Sequence, residues 1–448
     1  MPSDKAGIIP RLYPSTGSSV NRTPAPNTLR PSACPGLLRI VQALDGGICR
    51  IKLAGGSITA KQAHAVADAA RAHAGGVIEA TNRANLQIRG IGAEQDALIA
   101  MLLAADLGPS HAAGDDVRNL MLSPGAGIDP HMLFDTRPLA AQILATLQNH
   151  SRFHELSAKF AVQLDGGEAL AMLEHHHDLW LSAFERKGET LLAFGLAGCP
   201  GLDAPLAAVP LEQGLALVVA VLEAFLDLAT PEQTRMRHLA VDKLLSHLRL
   251  PLLPADGFKR PASGALLHLG TYPQLQKNHC YVAAVAPLGR LDSSMLNGVA
   301  RLASEFGDGT LRFTPWQGVL LPGVKHPEAV TQGLEKLGFL CSINQPLARM
   351  VACTGSSGCA KGLADTKADA IRLAALQPQH DVHLSGCPRS CAAAHTAPVT
   401  LLAVSPGHYD LYFRDAAHPG FGRLHARTLS IEAVGALLRA RPRSNTDD

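Results

Sequence analysis

The chain repeats itself, and no other feature restricts its fold as much. When the sequence is laid over itself 233 positions on, without a gap, GGSITAKQAHAVADAARAHAGGVIEATNRANLQIRGI coincides with LGRLDSSMLNGVARLASEFGDGTLRFTPWQGVLLPGV. Gly56 falls on Gly289, Val66 and Ala67 on Val299 and Ala300, and Ala70 on Ala303. Gly76 falls on Gly309, Thr81 on Thr314, and Gly90-Ile91 on Gly323-Val324. Each copy reads as strand, turn, amphipathic helix, glycine stop, strand. Val66, Ala67, Ala69 and Ala70 give the first helix an apolar face, and Gly75-Gly76 end it. Val77–Thr81 and Leu86–Ile88 then read as extended. Chance similarity in a chain rich in Ala, Gly and Val does not explain a gapless match that includes the glycines.

The shift carries past this unit. Val117–Gly127 lies over Met350–Ala360, and with five residues removed Leu156–Lys159 lies over Leu384–Cys387. In the second copy these loops hold Cys353, Cys359, Cys387 and Cys391, spaced Cys-x5-Cys and Cys-x3-Cys. The first copy has none there and offers Arg118, Asn119 and Lys159 instead. Two facing halves of this kind make one asymmetric site, with a metal on one wall and cations on the other.

Four soft ligands from two short loops are what a cubane iron–sulfur cluster requires. The alternatives are a structural zinc, whose cysteines more often sit two to four residues apart, and disulfides, which nine cysteines and the absence of an apolar leader disfavour. Cys34, Cys49, Cys199, Cys280 and Cys341 have no partner at ligand spacing and read as small apolar residues.

Composition excludes some functions. The formal charge is only +2, so neither nucleic acid nor a membrane surface is an expected partner. The longest apolar stretch, 214–229, contains Glu223 and Asp227 and is too short to cross a bilayer. A cytoplasmic setting is expected. Residues 1–33 read as a disordered tail rich in Pro, Ser, Thr and Asn. A nicotinamide-binding G-x-G-x-x-G after a strand and a Walker A motif are both missing, so electrons must come from a separate donor.

The duplicated unit followed by the four cysteines resembles the siroheme-dependent sulfite and nitrite reductase superfamily, over nearly the whole chain from Pro35. Within it, the segments ACPGLLR (33–39), LMLSPGAGIDP (120–130), RFTPWQG (312–318), ACTGSSGCAKGLADTKADA (352–370) and HTAPVTLLAVSPGHYDLYF (395–413) resemble the precorrin-3B synthases of aerobic cobalamin synthesis. The resemblance implies an α+β, pseudo-twofold duplicated nitrite/sulfite reductase fold. Two ferredoxin-like half-domains (34–105 and 259–332) pair with two cluster-type domains, one without cysteines (106–258) and one holding a 4Fe-4S cluster (333–448). Between them lies a tetrapyrrole cavity. In the synthases the tetrapyrrole is the substrate, precorrin-3A. It is hydroxylated at C20 with dioxygen and closed to a γ-lactone, using electrons from an external ferredoxin or NAD(P)H-linked reductase. In the reductases the cavity holds siroheme.

The resemblance places Arg83 on the arginine of a T-x-R-x-x-x-Q pattern at the tetrapyrrole site and Arg118-Asn119 on a second basic loop. Arg50, Lys52, Gln87 and Arg89 are further candidates for substrate carboxylates, which arginine grips with a planar fork. As strand residues, Arg83, Gln87 and Arg89 would share one face, as would Arg50 and Lys52. The reductases carry a basic LPRKFK-like stretch for their oxyanion. Here it reads LSAKFA, which keeps Lys159 but has Ala158 and Ala161 at the other two basic positions. Trp316 stands where the repeat aligns Arg83. The synthases also imply a non-haem iron; His383 and His395 are its candidate ligands, while the run His175-His176-His177, which with Glu174 and Asp178 could bind metal, reads rather as an exposed polar turn.

Overall fold

A computed structural model describes residues 34–264 and 266–441; the expected tail at 1–33 lies outside them. The first copy opens with β1 (Val41–Ala43), β2 (Gly46–Ile51), β3 (Ser57–Thr59), α1 (Ala60–His73), β4 (Val77–Ala80), β5 (Leu86–Ile91) and α2 (Gln95–Ala104). A second unit follows, with β6 (Leu120–Leu122), α3 (Arg137–Asn149), β7 (Val162–Asp165), β8 (His177–Arg186), β9 (Glu189–Gly198), β10 (Ala207–Pro210), α4 (Gly214–Leu228) and α5 (Val241–Leu245). The second copy repeats the first pattern as β11 (Gly270–Pro273), β12 (Cys280–Val285), β13 (Arg290–Asp292), α6 (Ser293–Phe306), β14 (Thr310–Phe313), β15 (Gly318–Val324) and α7 (Pro327–Lys336). It closes with β16 (Met350–Ala352), α8 (Thr366–Ala375), β17 (Val382–Ser385), β18 (Val399–Ser405), β19 (His408–Phe413), β20 (Arg423–Ser430) and α9 (Ile431–Ala440).

Helix α1 starts on a reciprocal cap between Thr59 and Gln62, and α6 starts on the Asp292 carboxylate, which accepts from the Met295 N–H. Both end on the expected glycines: Gly76 N–H donates to Ala70 O and Gly309 N–H to Ala303 O. The expected apolar faces are buried, Val66, Ala67, Ala69 and Ala70 on α1 and Val299, Ala300 and Ala303 on α6. The two helices pack on each other. His64 Nδ1 meets Asn297 Oδ1 at 2.5 Å. These two residues are repeat equivalents, so the pseudo-twofold axis passes between them.

The half-domain sheets exchange a strand. The first runs β1-β2-β5-β4-β13 and the second β11-β12-β15-β14-β3. Leu291 of β13 pairs with Ile78 of β4, and Ile58 of β3 pairs with Leu311 of β14. The two pairings map onto each other under the 233-residue shift. Each copy therefore completes its partner's sheet, and residues from both contribute to one continuous apolar core. The other two units have cores of their own. Their sheets run β6-β7-β8-β9-β10 and β16-β17-β18-β19-β20, with the first three strands of each parallel and the rest antiparallel. Helix α4 packs into the core of the earlier unit. Among the described residues, no helix is long and apolar enough to cross a membrane.

The register changes outside the half-domains. β6 corresponds to β16 at an offset of 230 (Leu120 to Met350), and β7 to β17 at 220 (Val162 to Val382). The cysteine positions thus fall on Ser123, Asp129, Gly167 and Ala171, not on the loop around Arg118 or on Lys159. Residues gained or lost between strands shift the count without disturbing the sheet. At these positions polar groups tie the two loops together directly. Ser123 Oγ donates to Leu170 O, and Asp129 Oδ2 accepts from Leu170 N–H at 3.1 Å.

Candidate active site

Strands β16 and β17 are parallel neighbours, so the loops that follow them leave the same edge of the sheet. Cys353 and Cys359 lie on the first loop, Cys387 and Cys391 on the second. The loops are stitched by Cys353 N–H to Leu384 O (3.3 Å) and Leu363 N–H to Gly386 O (2.9 Å). Gly386 N–H points at the Cys353 sulfur, 3.2 Å away. All four cysteines are free. Burial pushes the Cys391 thiol up, and Cys353, Cys387 and Cys359 each push it further. Four free thiols on two adjacent loops, close enough for three of them to oppose the ionisation of Cys391, with a backbone N–H aimed at one sulfur, fit the donor set of a cubane cluster.

The first half-domain covers this edge. Its sheet turns one face to the shared helices, through Leu86 and Ile88, and the other, through Gln87 and Arg89, to the cysteine loops. Arg89 clasps Asp45 through two hydrogen bonds (2.9 and 2.8 Å) and donates to Gly358 O inside the cysteine loop (3.2 Å). Glu79 accepts from Thr354 and Arg290 and lies 3.6 Å from Lys367 Nζ. Asn82 Nδ2 donates to Cys391 O (3.3 Å). The crossing is reciprocal: Arg312, the repeat equivalent of Glu79, donates to Pro124 O and Ala126 O in the loop without cysteines. Each half-domain therefore packs on the loop pair of the opposite copy.

The candidate substrate residues divide into groups. Arg83 lies in the turn between β4 and β5 and not on a strand. Its guanidinium meets His177 Nε2 at 2.7 Å and His176 O at 3.3 Å. Burial, reinforced by Arg235, pushes it down to about 10. Arg50 sits opposite Gln87 across β2 and β5. With its amide oxygen turned toward Arg50, Gln87 accepts at 2.7 and 3.2 Å. Burial lowers Arg50, while Cys34 and Cys391 act in the other direction, so this cation borders the cysteine edge. Arg89 is tied to Asp45 and the cysteine loop. Lys52 lies just beyond β2 and donates to Asp115 O and Asp116 O. Arg118 donates to Gly108 O, Leu107 O and Asp115, and Asn119 to Asp116 O, Ala158 O and Phe160 O. Lys52, Arg118 and Asn119 thus hold backbone together around the segment entering β6. Lys159 is exposed.

The histidine run is not a solvent-exposed turn throughout. His175 and His177 are buried, and only His176 is exposed. His175 Nε2 meets His395 Nδ1 at 3.1 Å with the rings stacked. His383 is buried on β17. Trp316 stacks on His268, ring centroids 4.8 Å apart. Glu79, Asp45 and Arg235 carried no reading from the sequence, and His177 was placed in an exposed turn but is buried against Arg83. The repeat did carry a signal for Glu79, because its equivalent is a charged residue of opposite sign.

With this geometry in place, comparison with known proteins places the chain. Residues 41–105 and 272–335 match the nitrite/sulfite reductase ferredoxin-like half domain, and 113–247 match the nitrite and sulphite reductase 4Fe-4S domain. The ferredoxin–nitrite reductase of Zea mays chloroplasts is 30% identical over 392 residues, covering 78% of this chain and 68% of that enzyme. The chain belongs to the nitrite and sulphite reductase family. A precorrin-3B synthase from Sinorhizobium sp. is 26% identical over 398 residues, covering 87% of this chain and 84% of that protein. The NirA protein of Mycobacterium tuberculosis shares the fold, with a TM-score of 0.73 at 19% identity, over 87% of this chain and 79% of its own. The domain-level match at 113–247 falls on the copy without the four clustered cysteines, which lie outside the matched residues.

The buried histidines set an acid limit. Burial pushes His268 down to about 4 and His383 to about 3, and holds His175 and His177 well below their ordinary value, with His395 and Arg83 adding to the effect. Unfolded, each titrates near ~6.5, so below that pH the unfolded chain binds more protons than the folded one. The stabilisation is complete above ~6.5 and is lost as pH falls, by about 1.4 kcal/mol per pH unit for each histidine. Urea midpoints should be flat between pH 8 and 7 and fall steeply from 6.5 to 4. A flat profile across that range refutes the assignment.

Proposed function

We propose that this chain is a precorrin-3B synthase, which hydroxylates precorrin-3A at C20 with dioxygen and closes the γ-lactone. The observation that carries this reading is the segment Leu156–Ala161. Reductases of the family need cations there to neutralise and protonate a small oxyanion. Here Ala158 is buried, Ala161 is half-buried with its N–H on Asp178, and Lys159 is the only cation left in the segment. A mouth of this composition suits a neutral co-substrate. The nearly co-extensive match to the Sinorhizobium synthase supports the same reading.

On this reading, Arg83 and Arg50 with Gln87 bind and orient substrate carboxylates. The anion relieves the cost of holding Arg83 beside Arg235 in a desolvated setting. Cys353, Cys359, Cys387 and Cys391 would hold a 4Fe-4S cluster, which when bound supplies electrons singly from an external ferredoxin or NAD(P)H-linked reductase. The reaction balances as substrate, dioxygen, two electrons and two protons giving the oxygenated product and water. Glu79, Arg89 and Asn82 fix the substrate-side sheet against the cysteine loops.

Arg83→Ala is expected to weaken tetrapyrrole binding about 10- to 100-fold, the value of one hydrogen-bonded charge contact, as read by quenching titration with a uroporphyrin-type ligand. Unchanged affinity would remove Arg83 from the site. The deciding experiment supplies anaerobically prepared protein with precorrin-3A, a reductant and oxygen. A mass gain of one oxygen atom is expected. The second reading, a siroheme-dependent nitrite or sulfite reductase, is favoured by the 30% identity to the maize enzyme. Ammonia or sulfide from the oxyanions, with intense porphyrinoid bands in the purified protein, would establish it instead.

A further inference from the structure

We propose that His176, Cys199 and Asp203 form a binding site for one divalent transition-metal ion, separate from the four clustered cysteines. Cys199 has no partner at ligand spacing along the chain, and the tertiary structure supplies two. β8 and β9 are antiparallel, and their last pair sets His177 opposite Gly198. The next residues outward, His176 and Cys199, therefore leave the sheet side by side. The chain then turns tightly, with Asp203 N–H donating to Cys199 O at 3.1 Å. This brings the Asp203 carboxylate back over the strand end, where Oδ2 accepts from Cys199 N–H at 2.8 Å. A Cβ on Gly198 would stand 2.4 Å from Asp203 Oδ2, so a larger residue there would displace this carboxylate. Imidazole nitrogen, thiol sulfur and carboxylate oxygen all lie within 4.8 Å of one another.

The donor set defines the ligand class. A sulfur and an imidazole select Zn2+, Co2+ or Fe2+ over Mg2+ and Ca2+, which take oxygen ligands. Three protein ligands leave a coordination position free. Binding forms a metal–sulfur bond and releases the Cys199 proton to solvent. Among the described residues, His383 and His395, the histidines first considered as iron ligands, join no such group. The site is anchored to the rest of the molecule through His176 O, which accepts from Arg83. The inference rests on these residues alone and survives whichever family reaction the protein performs.

The test uses protein whose four clustered cysteines are already loaded with iron and sulfide, titrated anaerobically with Co2+. One Co2+ per chain should bind beyond the cluster iron, with a thiolate-to-cobalt charge-transfer band. Cys199→Ala should abolish that band, and both Cys199→Ala and Asp203→Asn should weaken binding at least about tenfold, with cluster iron and sulfide unchanged. If Cys199→Ala does not fold, His176→Ala at an exposed position provides the same comparison, with at least about tenfold weaker binding expected. Absence of added Co2+ in the unaltered protein, or equal affinity in the variants, overturns the proposal.

Discussion

Serine at Cys387 is expected to leave a folded protein that has lost its iron. A cubane needs four thiolates, and the two loops that would supply them are stitched by Cys353 N–H, Leu363 N–H and Gly386 N–H, while the Ser385 hydroxyl donates to Cys387 O within the second loop. Removing one sulfur should reduce iron and acid-labile sulfide from about four each per chain to below about one. On the proposed reading, in which electrons would reach the site through that cluster, electron-dependent activity should be lost as well. The fold should survive. In the other copy, Ser123 and Asp129 occupy the positions of Cys353 and Cys359 and close the same loop pair with hydrogen bonds to Leu170. Cys341→Ser, outside the four-cysteine set and packed beside the half-domain core, is the control and should retain full iron. A Cys387→Ser protein with undiminished iron and sulfide would refute the four-thiol assignment.

Alanine at Gly56 is expected to cost far more stability than its size suggests. Gly56 has φ +70° and lies against β14, the strand of the second half-domain sheet that pairs with β3. A Cβ there would stand 2.0 Å from the backbone oxygen of Phe313 and 3.2 Å from Ala84 Cβ. Left-handed backbone costs an L-residue roughly 1–2 kcal/mol, and overpacking in a tight core typically adds about 1–3 kcal/mol. The sum, about 2–5 kcal/mol, would appear as a lower urea midpoint. The repeat equivalent provides an internal comparison. Gly289 has φ +72°, but its nearest neighbour is the Gln317 side-chain oxygen at 2.8 Å, which can move. Gly289→Ala should therefore destabilise less. Equal effects would mean that backbone conformation alone, and not the strand exchange, sets the cost.

Several of these features were legible in the residues. The paired glycines, the apolar face of α1 and the spacing of the cysteines are local patterns, and each maps directly onto an element or a loop. The basic residues were harder to read. Arg83, Lys52, Arg118 and Arg89 all look like candidate anion binders in one dimension. In the fold Lys52 and Arg118 satisfy carbonyls, Arg89 braces a cysteine loop, and Arg83 lies in a turn against two histidines. A charged side chain reaches several ångströms, so its partner depends on what the fold brings near, which for Arg89 is Gly358 in the other copy. The repeat register misled for a related reason. Insertions between strands changed the offset from 233 to 230 and then 220, and hydrogen-bond ladders tolerate this where a gapless comparison does not.

Duplication and thiol spacing, both visible along the chain, already implied two like halves and one metal-bearing wall. Three things needed the folded molecule: the exchange of β3 and β13, the packing of each half-domain on the opposite copy's loops, and the meeting of His176 with Cys199 and Asp203. The physical reason is that periodicity and spacing record which face of an element is apolar and which ligands are close in sequence. They do not record which distant edge completes a sheet. That choice is made by burial and backbone hydrogen bonding summed over the whole molecule.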